Sequence, residues 1–182
     1  PRGVLQVLGL CLRTSRFAEG VDYFVQHGGA ERATSAVTSK YAQLLVKGGQ
    51  KQKAVEAFRQ AMSLALQESP DAVQIAARDA LAVFSAEEGL AAFGAPPSES
   101  TSAKANERLL IRFHAEAKNF DQAVQRVNAL VRIATDDGEL AALFHERGDI
   151  QQTANQPEQA LASYRLAIEK DSANWVTLNN IA

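Results

Sequence analysis

The string His145–Glu146–Arg147–Gly148–Asp149 is the nearest this chain comes to a catalytic signature. It starts like HExxH, in which two histidines one helical turn apart hold a zinc ion and the glutamate serves as base. Asp149 stands where the second histidine belongs, so a surface helix with polar residues explains the string better than a metal site. There is no GxSxG elbow, no GxxxxGK[ST] phosphate loop and no GxGxxG, and no carboxylate pair or Ser/His/Asp set shares an evident face. His27 and His114 fall at helix-packing positions and are expected to be neutral core histidines. Cys11 is the single cysteine, in the apolar stretch Val4–Leu12, where a buried structural thiol is expected and neither a disulfide nor a CxxC metal site can form. Enzyme chemistry, metals and cofactors are therefore not expected.

Recognition is the chemistry the polar residues do suggest. Arg108 and Arg112 are four apart, so on a helix they project together, and with Arg78 they could grip a carboxylate or phosphate through forked hydrogen bonds. They belong to a longer polar face: Gln6 and Arg13, then Lys40, Gln43 and Lys47, then Gln74 and Arg78, then the arginine pair, and last His145, Glu146 and Asp149. The face is basic with amides between until its final segment, which is acidic. The plainer alternative is a set of solvated charges on exposed helices. Across the whole chain 19 basic residues meet 21 acidic ones, giving a net charge of −2 and disfavouring a general nucleic-acid binder. Residues 1–91 sum to +1 and residues 92–182 to −3, too mild a gradient to name a partner.

The elements that must position these groups are helices. The 182 residues include 33 alanines but only 11 glycines and 5 prolines, a composition that favours closely packed helices over a turn-rich sandwich. No apolar run approaches the roughly 18 residues of a membrane span. One phrase recurs along the chain: a small residue followed four positions later by a large one. The small residues are Gly20, Ala54, Gly89, Ala123 and Ala160, spaced by 34, 35, 34 and 37, and their partners are Phe24, Phe58, Phe93, Val127 and Tyr164. Twelve positions before each small residue stands another packing residue: Leu8, Ala42, Ala77, Ile111 and Gly148. Each unit thus reads as helix, short turn, helix, with Pro157 placed in a first turn where its missing N–H is harmless. Two helices of this size cannot bury their apolar face alone, so neighbours must stack. The expectation is an all-α, right-handed superhelical solenoid of about five units: 1–34, 35–69, 70–103, 104–140 and 141–174, with a sixth helix starting in 175–182. Its concave side is lined by the first helix of each unit.

These residues resemble the tetratricopeptide repeat, W-x2-L-G-x2-Y…A-x3-F…P. The fifth unit carries the pattern through Gly148, Ala160, Tyr164 and Ala167, and the second through Ala42, Ala54, Phe58 and Ala61. Gly20, His27, His114, Val127 and Ser172 depart from it without disturbing the period. The resemblance implies a scaffold that binds a protein or peptide partner in its concave groove. Family members that hold chaperone tails use a Lys/Asn/Asn/Lys/Arg carboxylate clamp. The corresponding slots here include Leu5, Gly9, Lys40, Asp71 and Ile75, so a chaperone cofactor is not expected.

The third unit is irregular. Gly94, Pro96 and Pro97 follow Phe93, which should end its second helix near Phe93 and leave an irregular loop over 94–103 before a helix resumes at Ala103–Ala115. A degenerate repeat and a hinge or docking loop both fit that break. The start at Pro1 and the end within a helical pattern suggest a piece of a longer protein, with compartment left open between cytoplasm and periplasm. A structural spacer or adaptor arm in a bacterial envelope or polysaccharide-export assembly is the alternative to a partner-binding scaffold. Carbohydrate binding would need aromatic platforms, for which Trp175 is the sole exposed candidate. Self-association through apolar solenoid ends is a further expectation.

Overall fold

The computed structural model describes residues 2–27, 33–94, 103–173, 177–178 and 180. Among these residues the fold is all-α, with ten helices and no strand: α1 Arg2–Arg13, α2 Phe17–His27, α3 Ser35–Lys47, α4 Lys51–Glu68, α5 Pro70–Leu81, α6 Ala86–Gly94, α7 Ala103–Glu116, α8 Phe120–Val131, α9 Asp137–Thr153 and α10 Pro157–Lys170. No helix is long and apolar enough to cross a membrane. The chain divides into two compact units, Pro1–Phe113 and His114–Ala182.

Four of the turns within helix pairs share one backbone device. Ser15, Gly49, Lys118 and Asn155 have φ of 58°, 78°, 60° and 59°, the left-handed conformation that ends a helix. The next residue in each donates its N–H back to the carbonyl five residues earlier: Arg16 to Cys11, Gln50 to Leu45, Asn119 to His114 and Gln156 to Gln151, at 2.8–2.9 Å. Each left-handed residue lies five positions before the small residue of its unit, so cap and packing slot keep one period. The α5–α6 turn is different. It occupies residues 82–85 and places Phe84 where the other turns have the left-handed residue. Ser85 then opens α6 through a capping box: its hydroxyl accepts from the Glu88 N–H at 3.2 Å while the Glu88 carboxylate accepts from the Ser85 N–H at 3.1 Å.

In the first unit α3 is the central element, packed against α1, α2, α4 and α5, with α4 also meeting α5 and α6. Leu8, Ala42, Ala77 and Ile111 from the first helices and Gly20, Ala54 and Gly89 from the second are all buried. Gly20 is required by close approach, since a Cβ there would lie 2.8 Å from Leu44 Cδ1 and 2.9 Å from the Cys11 Cβ. Cys11 is indeed buried. Phe58, Phe84, Phe93 and Phe113 form one aromatic cluster, with Phe84 edge-on to the other three at 5.7–6.5 Å and Phe93 stacked on Phe113 at 5.3 Å. Phe84 therefore replaces a turn residue by a core plug. His27 departs from expectation: it is exposed in the last turn of α2, on the face it shares with Tyr23 one turn earlier, whose ring lies 4.6 Å away. His114 is half-buried.

The short helix α6 is closed by side chains from α4 and α7. α6 ends at Gly94, nine residues long, as the proline pair suggests. Asn106 on α7 donates to the Phe93 carbonyl at 3.0 Å and accepts from Arg59 Nε at 2.8 Å. Arg59 is buried, with Glu56 Oε1 2.6 Å from Nη1 and the Phe93 ring below its guanidinium. An orphan carbonyl at a helix end is thus satisfied by a side chain, and the buried charge that reaches it is itself paired. Residues 95–102, and with them most of the 94–103 loop and its hinge alternative, lie outside the described residues, as does Trp175.

In the second unit α9 packs against α8 and most extensively against α10. Ala123, Val127, Gly148, Ala160, Tyr164 and Ala167 are buried, and a Cβ on Gly148 would fall within the Tyr164 ring. α9 is not the surface helix that its polar residues suggest. Ala141, Leu143, Glu146, Gly148, Ile150 and Gln151 are buried on several sides of it, and the Arg147 side chain is held by Ser163 and Asn128 at 2.9 Å each.

Candidate binding groove

A cavity of about 460 Å³ opens in the first unit, walled by α1, α3 and α5. These are the helices that the period assigns as the first of each pair. Leu5, Gln6, Gly9 and Arg13 come from α1, Ala36 and Lys40 from α3, and Ile75, Arg78 and Asp79 from α5. Within each helix the residues repeat at three or four positions, so each contributes one longitudinal stripe. Gly9 keeps the α1 stripe thin; a Cβ there would lie 3.6 Å from Arg13 Nη1.

Lys40 reaches from α3 to α5 along the groove wall. Its ammonium lies 3.0 Å from Gln43 Oε1 and 3.4 and 3.5 Å from the two Asp79 carboxylate oxygens. Gln43 is buried and donates through Nε2 to the Asp79 main-chain carbonyl at 3.3 Å, tying α3 to α5 a second time. Arg13 and Arg78 are exposed, and among the described residues no hydrogen bond or ion pair holds either guanidinium. Ile75 is 41% exposed, an apolar side chain open to solvent beside these charges.

The remaining expected residues fall elsewhere. Lys47 and Gln74 are exposed and do not line the cavity. Arg108 is buried and Arg112 half-buried on α7, and both interact with other groups of the protein, so neither projects as the solvent-facing fork its spacing implies. His145 and Asp149 belong to the second unit, in a polar cluster on α9. His145 Nε2 lies 3.4 Å from Asp149 Oδ2 and its Nδ1 2.9 Å from the buried Thr177 hydroxyl. The Tyr164 hydroxyl shares its proton between Asp149 Oδ1 at 2.9 Å and Gln152 Oε1 at 2.8 Å. Burial, and then the neighbouring carboxylate, hold that phenol well above its ordinary range. This cluster joins α9 to α10 and to Thr177 and Asn180.

A second cavity of about 590 Å³ lies between α4 and α6, with Val55, Phe84, Ala91 and Ala92 in its wall and the Lys51–Glu88 ion pair, 2.6 Å long, at its edge. The Lys51 ammonium, followed by the Ser85 N–H, pulls the Glu88 carboxyl down to about 2. Both charged pairs in that wall, Lys51–Glu88 and Arg59–Glu56, are internally matched, whereas in the α1–α3–α5 groove Arg13 and Arg78 have no ion-pair partner among the described residues.

Sequence reasoning passed over Asp79, Arg59 and Asn106. Asp79 lies four residues beyond Ile75 on the stripe and one beyond Arg78, and a carboxylate in an otherwise basic face is the signal that could have marked it. Arg59 and Asn106 are 47 residues apart and carry no local signal. Among the described residues no three His, Cys, Asp or Glu side chains converge as a metal site would require. No family model matches the chain, and none of the curated proteins compared with it matches either.

Proposed function

We propose that the chain is a protein-interaction scaffold of the tetratricopeptide kind, whose first helices hold a segment of a partner protein. One observation carries this reading: an open groove walled by α1, α3 and α5 that combines exposed aliphatic surface with two guanidinium groups that no hydrogen bond or ion pair holds among the described residues. An internal structural role would pair or bury such arginines, as happens to Arg59 and Arg147. An extended segment laid across helix stripes meets charged and amide side chains along its length and places its own apolar side chains between them. The solenoid of stacked hairpins is supported by the common period of the left-handed caps and the buried small residues.

The test is selection from a displayed library of random peptides against the 182-residue chain and against Ala36→Trp. Ala36 is a half-buried groove residue in the first turn of α3, where an indole would fill the cavity. The scaffold reading expects peptides that enrich on the unmodified chain and lose at least about tenfold in affinity on the Trp variant, since a blocked site forfeits its buried contacts. If no peptide enriches, or if enrichment ignores the Trp substitution, the groove is not the binding site and a spacer role becomes the better account.

A further inference from the structure

The charges in the groove are not equivalent, and their pairing says what kind of segment fits. Three cations and one carboxylate line the wall. The Lys40 ammonium donates to Gln43 Oε1 at 3.0 Å and lies within ion-pair range of the Asp79 carboxylate, 3.4 and 3.5 Å from its two oxygens. The Asp79 side chain is only 11% exposed, so its carboxylate faces Lys40 rather than open solvent. The centre of the groove is thereby neutralised from within. Two separate guanidiniums remain, Arg13 from α1 and Arg78 from α5, beside the aliphatic side chains of Leu5, Ala36 and Ile75.

We infer that the Lys40–Asp79 pair is the selectivity element of this groove: it sets the site to accept a peptide with two acidic residues and one aliphatic residue in a short stretch, and to reject dense polyanions. The inference rests on the groove being the peptide site proposed above. Each guanidinium can take one carboxylate through paired hydrogen bonds, while the aliphatic side chain covers Ile75. A polyanion needs a continuous cationic track, and Asp79 interrupts it with a negative charge. Asp79 does not act on the partner directly; it positions and neutralises Lys40.

The test uses fluorescein-labelled, capped peptides in which two glutamates lie two, three or four residues apart around one leucine, each with a glutamine twin. Inorganic polyphosphate serves as the second probe, and melting followed by circular dichroism verifies that every variant is folded. At least one glutamate peptide should bind about tenfold or more tightly than its twin, and Arg13→Gln and Arg78→Gln should each weaken it about tenfold. Asp79→Asn retains the main-chain carbonyl that accepts from Gln43 but releases the Lys40 charge, so it should bind the same peptide several-fold more tightly and acquire polyphosphate binding. Lys40→Met, which leaves the Asp79 carboxylate unneutralised, should lose about tenfold. Equal binding of the glutamine twins, or no change in Asp79→Asn, overturns the inference. Display-selected groove peptides without acidic residues would overturn it while leaving the scaffold reading intact, and a selection that enriches nothing removes both.

Discussion

Gly89 and Gly148 show how much of this fold is decided by a missing methyl group. Both lie inside helices, where glycine costs about 1 kcal/mol relative to alanine. Both are buried, and a Cβ would enter the ring of Phe113 in the first case and of Tyr164 in the second. Buried rings cannot retreat as the end of a flexible side chain can; Phe113 is already packed on Phe93 and Phe84, and Tyr164 is 2% exposed. The overpacking cost of about 1–3 kcal/mol should therefore outweigh the helix-propensity gain of about 1 kcal/mol, leaving Gly89→Ala and Gly148→Ala each up to about 2 kcal/mol less stable. Gly3 is the internal control, since a Cβ there meets nothing within 4 Å and the site is exposed on α1. Gly3→Ala should gain about 0.5–1 kcal/mol. Urea unfolding midpoints decide it: buried-glycine variants as stable as the parent chain would show that the aromatic rings do not close over these positions.

At the scale of the helix pair, the left-handed turn residue governs how one helix hands over to the next. Ser15 and Lys118 adopt positive φ although their side chains disfavour it, Asn155 tolerates it better, and Gly49 does so freely. Lys118→Gly and Ser15→Gly should accordingly raise stability by about 0.5–1 kcal/mol, Asn155→Gly by less, and Gly49→Ala should lower it by about 1 kcal/mol. The ranking is read from urea midpoints; a destabilised Lys118→Gly would mean that the lysine side chain contributes more than the backbone strain costs. The same turns explain what the sequence discloses. A period of small residues is local and repetitive, so Ala54, Ala123 and Ala160 announce their burial five times over with their equivalents, and the turn residues follow in phase. Phe84 breaks the phase because a core aromatic has replaced the cap, and nothing nearby marks the exchange. The Arg59–Asn106 bond and the Lys40–Asp79 pair join residues 47 and 39 positions apart, so each depends on which helices become neighbours. For this reason helix spacing alone could place Arg13, Lys40 and Arg78 on one face, where they line one cavity, whereas it could not show the burial of Arg108 or the neutralisation of Lys40.

At the scale of the whole molecule, charge separates the groove from the chain that carries it. The protein has a net charge of −2, while the groove wall carries a net charge of +2. An acidic peptide approaching from a distance therefore meets weak repulsion, and attraction takes over only near the site. Added salt acts on both, and the distances decide the outcome. The screening length is about 10 Å at 0.1 M salt, so the long-range repulsion is largely screened at modest ionic strength, whereas direct guanidinium–carboxylate contacts weaken progressively above it. Affinity for the glutamate–leucine peptide should thus fall by about three- to tenfold between roughly 20 and 300 mM NaCl, because the two arginines are exposed and their pairs are screened. The glutamine twin should show little dependence, and Asp79→Asn should show the steeper slope of a third unmatched cation. Fluorescence anisotropy across a salt series measures all three. A flat or rising affinity for the acidic peptide would place the binding energy in the aliphatic contacts at Leu5 and Ile75, and the arginines would then be solvated charges on a helix face.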